Sequence, residues 1–242
     1  MRLLNFLVLV FLVVSCQTIK VKEQSYKLSN STIELGALGE AKSISEFKNS
    51  FTIAGYPKIE EKIKLDIKIV PFTKKASKVY QRHAKFNQKL SNINYADSLV
   101  IKPEIVSIRI SDIATLISTL NSNENSNEIT FVKNNERISI VTSVLLALSN
   151  SEIDKLRSAD TYYLVQSDVS KYVMNLYKQG KKTDAIDLSS ATVIGYTVGK
   201  FCWLENDRGK WQIGDIVQKG NSCKGNTFRK ITAKKEKNLY KM

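Results

Sequence analysis

The segment KIKLDIKIV, residues 62–70, constrains the fold more than any other part of the sequence. Apolar residues take every second position, at Ile63, Leu65, Ile67 and Ile69, and charged residues stand between them. Because successive side chains of a strand point to opposite faces of the sheet, this period of two predicts a β-strand with one buried face and one face in water.

After Pro71 the apolar pattern changes to the period of a helix. Six residues spaced three or four apart form one apolar stripe: Phe72, Ala76, Val79, His83, Phe86 and Leu90. They predict an amphipathic helix over residues 72–90 with Thr73 as its N-cap. Five cations at the same spacing form a second stripe beside the first: Lys75, Lys78, Arg82, Lys85 and Lys89. These five residues are called the basic stripe below.

Strand patterns dominate the rest of the chain. Residues 106–110 predict a strand, and residues 191–217 predict a hairpin with its turn at residues 206–209. Residues 128–148 predict another hairpin, which turns at Asn134 and Asn135 and follows a loop at residues 121–127.

Short helices are predicted after Ser149, which forms a capping-box pattern with Glu152, and over residues 172–179. Strands outnumber helices and adjoin one another in sequence. The predicted fold class is therefore α+β: a mainly antiparallel sheet with one long amphipathic basic helix and a few short helices.

The N-terminal residues have an organisation of their own. A cationic start is followed by a run over residues 3–14 that is apolar except for Asn5 and ends at Ser15 and Cys16. This order is typical of a secretory signal peptide. The run is shorter than the ~20 residues that a membrane-spanning helix needs. A buried core helix is the alternative, although residues 6–14 lack the polar face that such a helix would show.

The tetrapeptide Val13-Val14-Ser15-Cys16 resembles the cleavage box of bacterial lipoprotein precursors, which is a hydrophobic pair, a small residue and then cysteine. Val13 stands where the commonest form of the box has leucine. The resemblance covers residues 1–16 only. It implies cleavage before Cys16, a diacylglycerol thioether on its sulfur and an acyl chain such as palmitate on its new amine. Several acyl chains hold a protein on a bilayer far more firmly than one.

The residues after Cys16 bear on the destination. Gln17 is not the aspartate that retains some lipoproteins in the inner membrane, and no acidic cluster that would direct export to the cell surface follows. The resemblance therefore implies an outer-membrane anchor that faces the periplasm. The predicted organisation is a signal peptide (1–15), a lipidated cysteine with a polar tether (16–49), an α+β domain (50–232) and a basic tail (233–242).

Cys202 and Cys223 are the two cysteines left when Cys16 carries lipid. An even pair in an oxidising compartment predicts a disulfide. The alternative is that Cys202 is a nucleophile served by His83, the only histidine. The position of His83 on the apolar stripe instead favours a packed, neutral core histidine.

The excess positive charge is concentrated in two segments. The formal net charge is +14 at pH 7; residues 72–90 carry six cations and no acid, and residues 224–242 carry seven cations and one acid. The basic stripe is thus a candidate contact face for anionic lipid or an acidic envelope protein. Its alternative role is the solvated side of a docked helix. We expect no nucleic-acid partner, because no nucleic-acid-binding fold or aromatic platform accompanies the charge.

No local motif identifies a catalytic, metal or cofactor site. One histidine and two paired cysteines leave few ligands for zinc. The segment GYTVGKF, residues 195–201, is one residue too short between its glycines to match a phosphate-binding loop. We therefore expect no cofactor, and a non-enzymatic binding or scaffolding role for a membrane-anchored envelope lipoprotein.

Two other functions stay open at this point. One is a periplasmic enzyme whose scattered site is not visible as a motif, and the other is a structural subunit of a larger complex. The aromatic hairpin that contains Tyr196, Phe201, Trp203 and Trp211 is the first place to look for a small-molecule site.

Overall fold

A computed structural model of the chain describes residues 18–29, 32–44, 48–83, 93–168, 171–218 and 220–231. Within these ranges twelve strands form one sheet, and their pairings are antiparallel. The strands are β1 (Thr18–Val21), β2 (Gln24–Leu28), β3 (Leu38–Ile44), β4 (Lys48–Gly55), β5 (Ile63–Pro71), β6 (Glu104–Ile110), β7 (Ile138–Ala147), β8 (Thr161–Asp168), β9 (Lys171–Lys178), β10 (Lys181–Asp187), β11 (Thr192–Glu205) and β12 (Trp211–Gln218). Four short helices accompany them: α1 (Lys74–His83), α2 (Ile113–Leu120), α3 (Ser126–Asn134) and α4 (Asn150–Ser158).

The main path through the sheet runs β1-β2-β11-β7-β6-β5-β8-β9-β10. β12 pairs with the second half of β11, and β3 pairs with both β7 and β4. β1 and β10 therefore lie at opposite ends of this path.

β7 lies at the centre of the core, and all ten of its residues are buried. Leu145 and Ala147 belong to a cluster that packs against α1, whereas Val144 and Leu146 belong to a second, larger cluster. Because alternate residues of a strand point to opposite faces, both faces of the sheet are covered here. A strand covered on both faces loses the alternation of polar and apolar residues, as the run from Val144 to Leu148 does.

Several sequence predictions are confirmed. The alternation at residues 62–70 belongs to β5, in which Ile63 and Leu65 are buried and Lys64 is exposed. The strand over residues 106–110 is β6, and the predicted hairpin is β11 and β12. α4 begins with the predicted capping box, because the Ser149 side chain accepts from the Glu152 amide and the Glu152 carboxylate accepts from the Ser149 amide.

The predicted fold class is wrong in one respect: none of the helices that the structure describes is a long amphipathic basic helix. It is mostly antiparallel sheet, and its four described helices are eight to ten residues long. α1 does start where predicted, since the Thr73 hydroxyl accepts from the Ala76 amide at 3.1 Å. Apolar spacing shows which face of a helix is buried but not how far the helix runs. Residues 72–90 contain neither a glycine nor a proline to mark an end.

The prediction of a polar tether over residues 16–49 is also wrong for the described part of that range. β1 and β2 form a hairpin, β2 pairs with β11, and β3 joins β7 to β4. The outward positions of these short strands are polar, so their composition resembles that of a linker. Their inward residues Ile19, Val21 and Tyr26 are buried, and these alternate positions place the hairpin in the core.

Two further elements differ from their predictions. Residues 128–148 contain the end of α3 followed by β7 instead of a hairpin, and residues 172–178 lie in β9 instead of a helix. In β9 the buried residues Tyr172, Met174 and Leu176 alternate. Val173 between them is also apolar, and Asn175 is a buried polar residue, which hides the period of two in the sequence.

Candidate functional site

α1 docks on the sheet through the predicted apolar stripe. Four members of the stripe are described, and all four are buried: Phe72, Ala76, Val79 and His83. They lie with Ile19, Val21 and Tyr26 of the β1–β2 hairpin on the α1 side of the sheet. Phe86 and Leu90 lie outside the described residues. The N-terminal hairpin and α1 are therefore packed together on one face of the sheet.

The described members of the basic stripe, Lys75, Lys78 and Arg82, lie on the outer side of this pair of elements. Lys78 and Arg82 are exposed. The Lys75 Nζ donates a hydrogen bond to the Thr18 carbonyl oxygen at 2.6 Å, so the first turn of α1 is tied to the first residue of β1. Three predicted site residues lie outside the described residues: Lys85, Lys89 and Cys16.

His83 is completely buried at the end of α1. Burial lowers the pKa of its imidazole, and the nearby Ser29 backbone partly offsets this effect. A neutral imidazole in a buried contact agrees with the predicted core histidine.

A loop at residues 93–103, which precedes β6, contacts the N-terminal end of α1. The Lys74 Nζ lies 3.0 Å from the Asp97 Oδ2, and the Tyr95 hydroxyl donates to the Asp97 Oδ1 at 2.7 Å. The hydrogen bond from Tyr95 and the contact with Lys74 lower the pKa of the Asp97 carboxyl. The Lys102 Nζ lies 5.5 Å from the centroid of the Tyr95 ring. The contacts of Tyr95 lie within the loop, and the exposed pair of Lys74 and Asp97 joins the loop to α1.

The tip of this loop is apolar and exposed. Val100 is 100% exposed, Ile101 87% and Leu99 40%. We call these three residues the apolar tip. They are absent from the sequence predictions, because three apolar residues between Ser98 and Lys102 are too few to establish a period. The signal that could have revealed them is an apolar triplet between polar and charged residues that belongs to neither neighbouring pattern.

The predicted disulfide is confirmed. Cys202 and Cys223 are bonded, with their Cα atoms 5.7 Å apart, and the bond joins β11 to the segment after β12. The alternative of a Cys202 nucleophile is therefore wrong in this state, because a bonded sulfur has no thiolate to attack with.

The aromatic hairpin serves mainly as core. Tyr196, Phe201 and Trp203 are all buried, and burial raises the pKa of Tyr196 to about 12. A cavity of about 260 Å³ lies beside Phe201 and Trp203, with Glu136 and Arg229 among its lining residues.

A larger, polar cavity of about 440 Å³ lies at the turn between β1 and β2. Lys22, Lys68 and Arg109 line it. Two of these cations already have a partner, because the Asp66 Oδ2 lies 2.8 Å from the Arg109 Nη2 and 3.8 Å from the Lys68 Nζ.

Glu34 is a half-buried carboxyl with an unusual environment. Burial raises its pKa, and a 3.0 Å hydrogen bond from the Tyr56 hydroxyl partly offsets that effect. A cavity around such a carboxyl would favour an enzyme. Glu34 lines neither of the two cavities above.

The part of the chain that the structure describes contains no group of three His, Cys, Asp or Glu side chains placed to hold a metal ion. Over the same residues, none of the helices combines the length and the apolar character needed to cross a bilayer.

No protein-family model matches the chain, and neither a curated protein nor a solved structure is significantly similar to it. The function is therefore inferred from the chain's own residues.

Proposed function

We propose that the chain is a bacterial envelope lipoprotein, anchored through lipid on Cys16, with a non-enzymatic binding or scaffolding role. The N-terminal sequence carries this proposal, because a cationic start, an apolar run over residues 3–14 and the box from Val13 to Cys16 occur in the order that lipidation requires. Gln17 favours an outer-membrane anchor that faces the periplasm.

The position of β1 supports an anchor of this kind. β1 begins at Thr18, two residues after Cys16. Two residues span at most ~7 Å, so lipid on Cys16 would hold the β1 edge of the sheet close to the bilayer. The hydrogen bond between Lys75 and Thr18 would then keep the first turn of α1 near the same surface.

The disulfide between Cys202 and Cys223 also supports a location outside the cytosol. Disulfides persist in oxidising compartments such as the bacterial periplasm, and they are rare where thiols are kept reduced.

Labelling with palmitate in growing bacteria tests the proposal. We expect the wild-type protein to take up the label and to sediment with membranes. The variant Cys16→Ser should be unlabelled, because it lacks the sulfur that starts lipidation. Ser15→Ala is the matched control: it keeps a small residue before Cys16 and should stay labelled. Palmitate label that persists in Cys16→Ser would overturn the proposal.

A further inference from the structure

We propose that the apolar tip, Leu99–Ile101, inserts into the bilayer beside the lipid anchor, while Lys78 and Arg82 of α1 contact anionic lipid headgroups. The inference rests on the proposed function, which supplies the bilayer. It adds a second membrane contact that is made by the folded protein itself.

The exposure of the apolar tip is the first observation. Among the described residues four large apolar side chains are exposed: Leu99, Val100, Ile101 and Phe131. Three of the four are consecutive in the apolar tip. Single exposed apolar residues are common on soluble proteins, whereas a contiguous exposed group marks a site of interaction.

The second observation is that the loop is held in place at its base. The Phe72 amide donates to the Pro103 carbonyl at 2.7 Å, and the Leu99 amide donates to the Ala96 carbonyl at 3.2 Å. The salt bridge between Lys74 and Asp97 adds a further contact to α1. The base of the loop is thus joined to Phe72 and to α1, and the side chains of Val100 and Ile101 are left in solvent.

The third observation is the position of the loop relative to the anchor. Consecutive lysines at the start of α1 reach in two directions: Lys74 contacts Asp97 of the loop, and Lys75 contacts Thr18 of β1. The loop and the strand that follows Cys16 therefore meet the same turn of α1. Lipid on Cys16 would hold this turn of α1, which both segments contact, close to the bilayer.

The flanking residues favour lipid over a protein as the occupant of this surface. Lys74 and Lys102 contact the base of the loop, and the Tyr95 ring lies beside Lys102. Cations and an aromatic ring around an apolar group match the headgroup level of a bilayer, where both residue types are enriched. α1 contains no acidic residue between Lys74 and His83, so its outer side attracts anionic headgroups. An acidic protein would need an apolar pocket beside its acidic groups to cover both features, whereas an anionic bilayer supplies headgroups and an apolar interior together.

The test is vesicle binding by residues 17–242, which include every described strand and helix. The probes are vesicles of phosphatidylcholine alone and of phosphatidylcholine mixed with phosphatidylglycerol, at low and high salt. We expect binding to the anionic vesicles that weakens with salt, because the headgroup contacts are screened. We expect the double variant Val100→Ser/Ile101→Ser to bind these vesicles at least about tenfold more weakly. Lys78→Glu/Arg82→Glu should weaken binding by a similar factor.

Matched controls distinguish binding through this surface from non-specific binding to vesicles. Phe131→Ser removes an exposed apolar ring elsewhere, and Lys181→Glu/Lys182→Glu reverses two exposed lysines on β10, at the opposite end of the sheet path. Both controls should bind within about twofold of the unaltered protein. All variants should keep its melting temperature, since the altered side chains are exposed.

The contradicting results are distinct. Equal binding by Val100→Ser/Ile101→Ser would overturn insertion of the apolar tip, and an equal loss in the β10 control would overturn the assignment of the cations to α1. No binding to anionic vesicles at low salt would overturn the lipid partner and leave a protein as the occupant. None of these results depends on Cys16, so failure of the inference can be distinguished from failure of the lipid anchor.

Discussion

His83 is a titratable residue that is buried at the end of α1. Burial lowers the pKa of its imidazole in the folded protein. In the unfolded chain the pKa returns to its ordinary value of about 6.5. Below that pH the unfolded state therefore binds more protons than the folded state, and the free energy of unfolding falls as the pH falls.

The variant His83→Leu should remove this part of the pH dependence. Between about pH 7.5 and about pH 5.5, we expect the wild-type protein to lose stability with a slope of up to ~1.4 kcal/mol per pH unit from this one group. His83→Leu should show a smaller loss over the same range, because leucine fills the buried position and does not titrate. Urea unfolding at both pH values measures the difference. Equal losses in the two proteins would show that His83 does not carry the effect.

The composition of the sequence gives no indication of the structural role of Asn125. It belongs to the segment NSNENSN, whose composition predicts a loop. In the structure its side-chain amide is buried, accepts from the Lys58 amide at 2.7 Å, and donates to the carbonyls of Lys58 and Thr119 at 2.9 Å. A contact between residues distant in sequence orders this segment, and such contacts leave no local pattern.

At the scale of elements, strands with a clear alternation can be predicted from the sequence, and strands without one cannot. β5, β6 and the β11–β12 hairpin belong to the first group, because apolar residues recur at every second position in parts of each. β1 and β2 belong to the second group, because they are short and carry polar residues on their outer positions. The 3-10 turn at Asn123–Asn125 and α3 escape prediction because composition and a pair of asparagines indicate a loop and a turn there.

The segment that joins the 3-10 turn to α3 supplies a direct prediction. Asn125→Ala should lower the free energy of unfolding by at least ~2 kcal/mol, because it removes the hydrogen bonds of a buried side chain to the Lys58 amide and to the carbonyls of Lys58 and Thr119. Asn123→Ala, at an exposed position in the same turn, is the matched control and should change it by less than ~0.5 kcal/mol. Chemical denaturation of the three proteins makes the comparison. A loss below ~0.5 kcal/mol in Asn125→Ala would mean that these hydrogen bonds do not order the segment.

At the scale of the whole molecule, the candidate membrane surface consists of the apolar tip and the exposed cations of α1. It can be predicted from the sequence only in part. The spacing of the cations alone places Lys75, Lys78 and Arg82 on one side of a helix. Their relation to β1 and to the apolar tip cannot be predicted in the same way, since it depends on how α1, the loop and the hairpin pack together. The spacing of the charges can therefore be predicted from the local sequence, whereas the residues that surround them depend on the tertiary fold.

The same packing relates the N-terminus to the candidate surface. The strand that follows Cys16 and the loop that carries the apolar tip both contact the first turn of α1. An anchor at Cys16 and a membrane contact by the loop would therefore act on two segments that contact the same turn of α1. An anchor through lipid combined with a second, weaker contact holds a protein on a bilayer more firmly than either does alone.

The mass of the mature N-terminal peptide, taken from the membrane fraction of bacteria that express the full chain, tests the lipid anchor most directly. Lipidation predicts a peptide that begins at Cys16 and carries the added mass of a diacylglycerol and an acyl chain. The contradicting result is an unmodified peptide in which Cys16 is an internal residue. It would contradict both the lipid anchor and the location in the envelope.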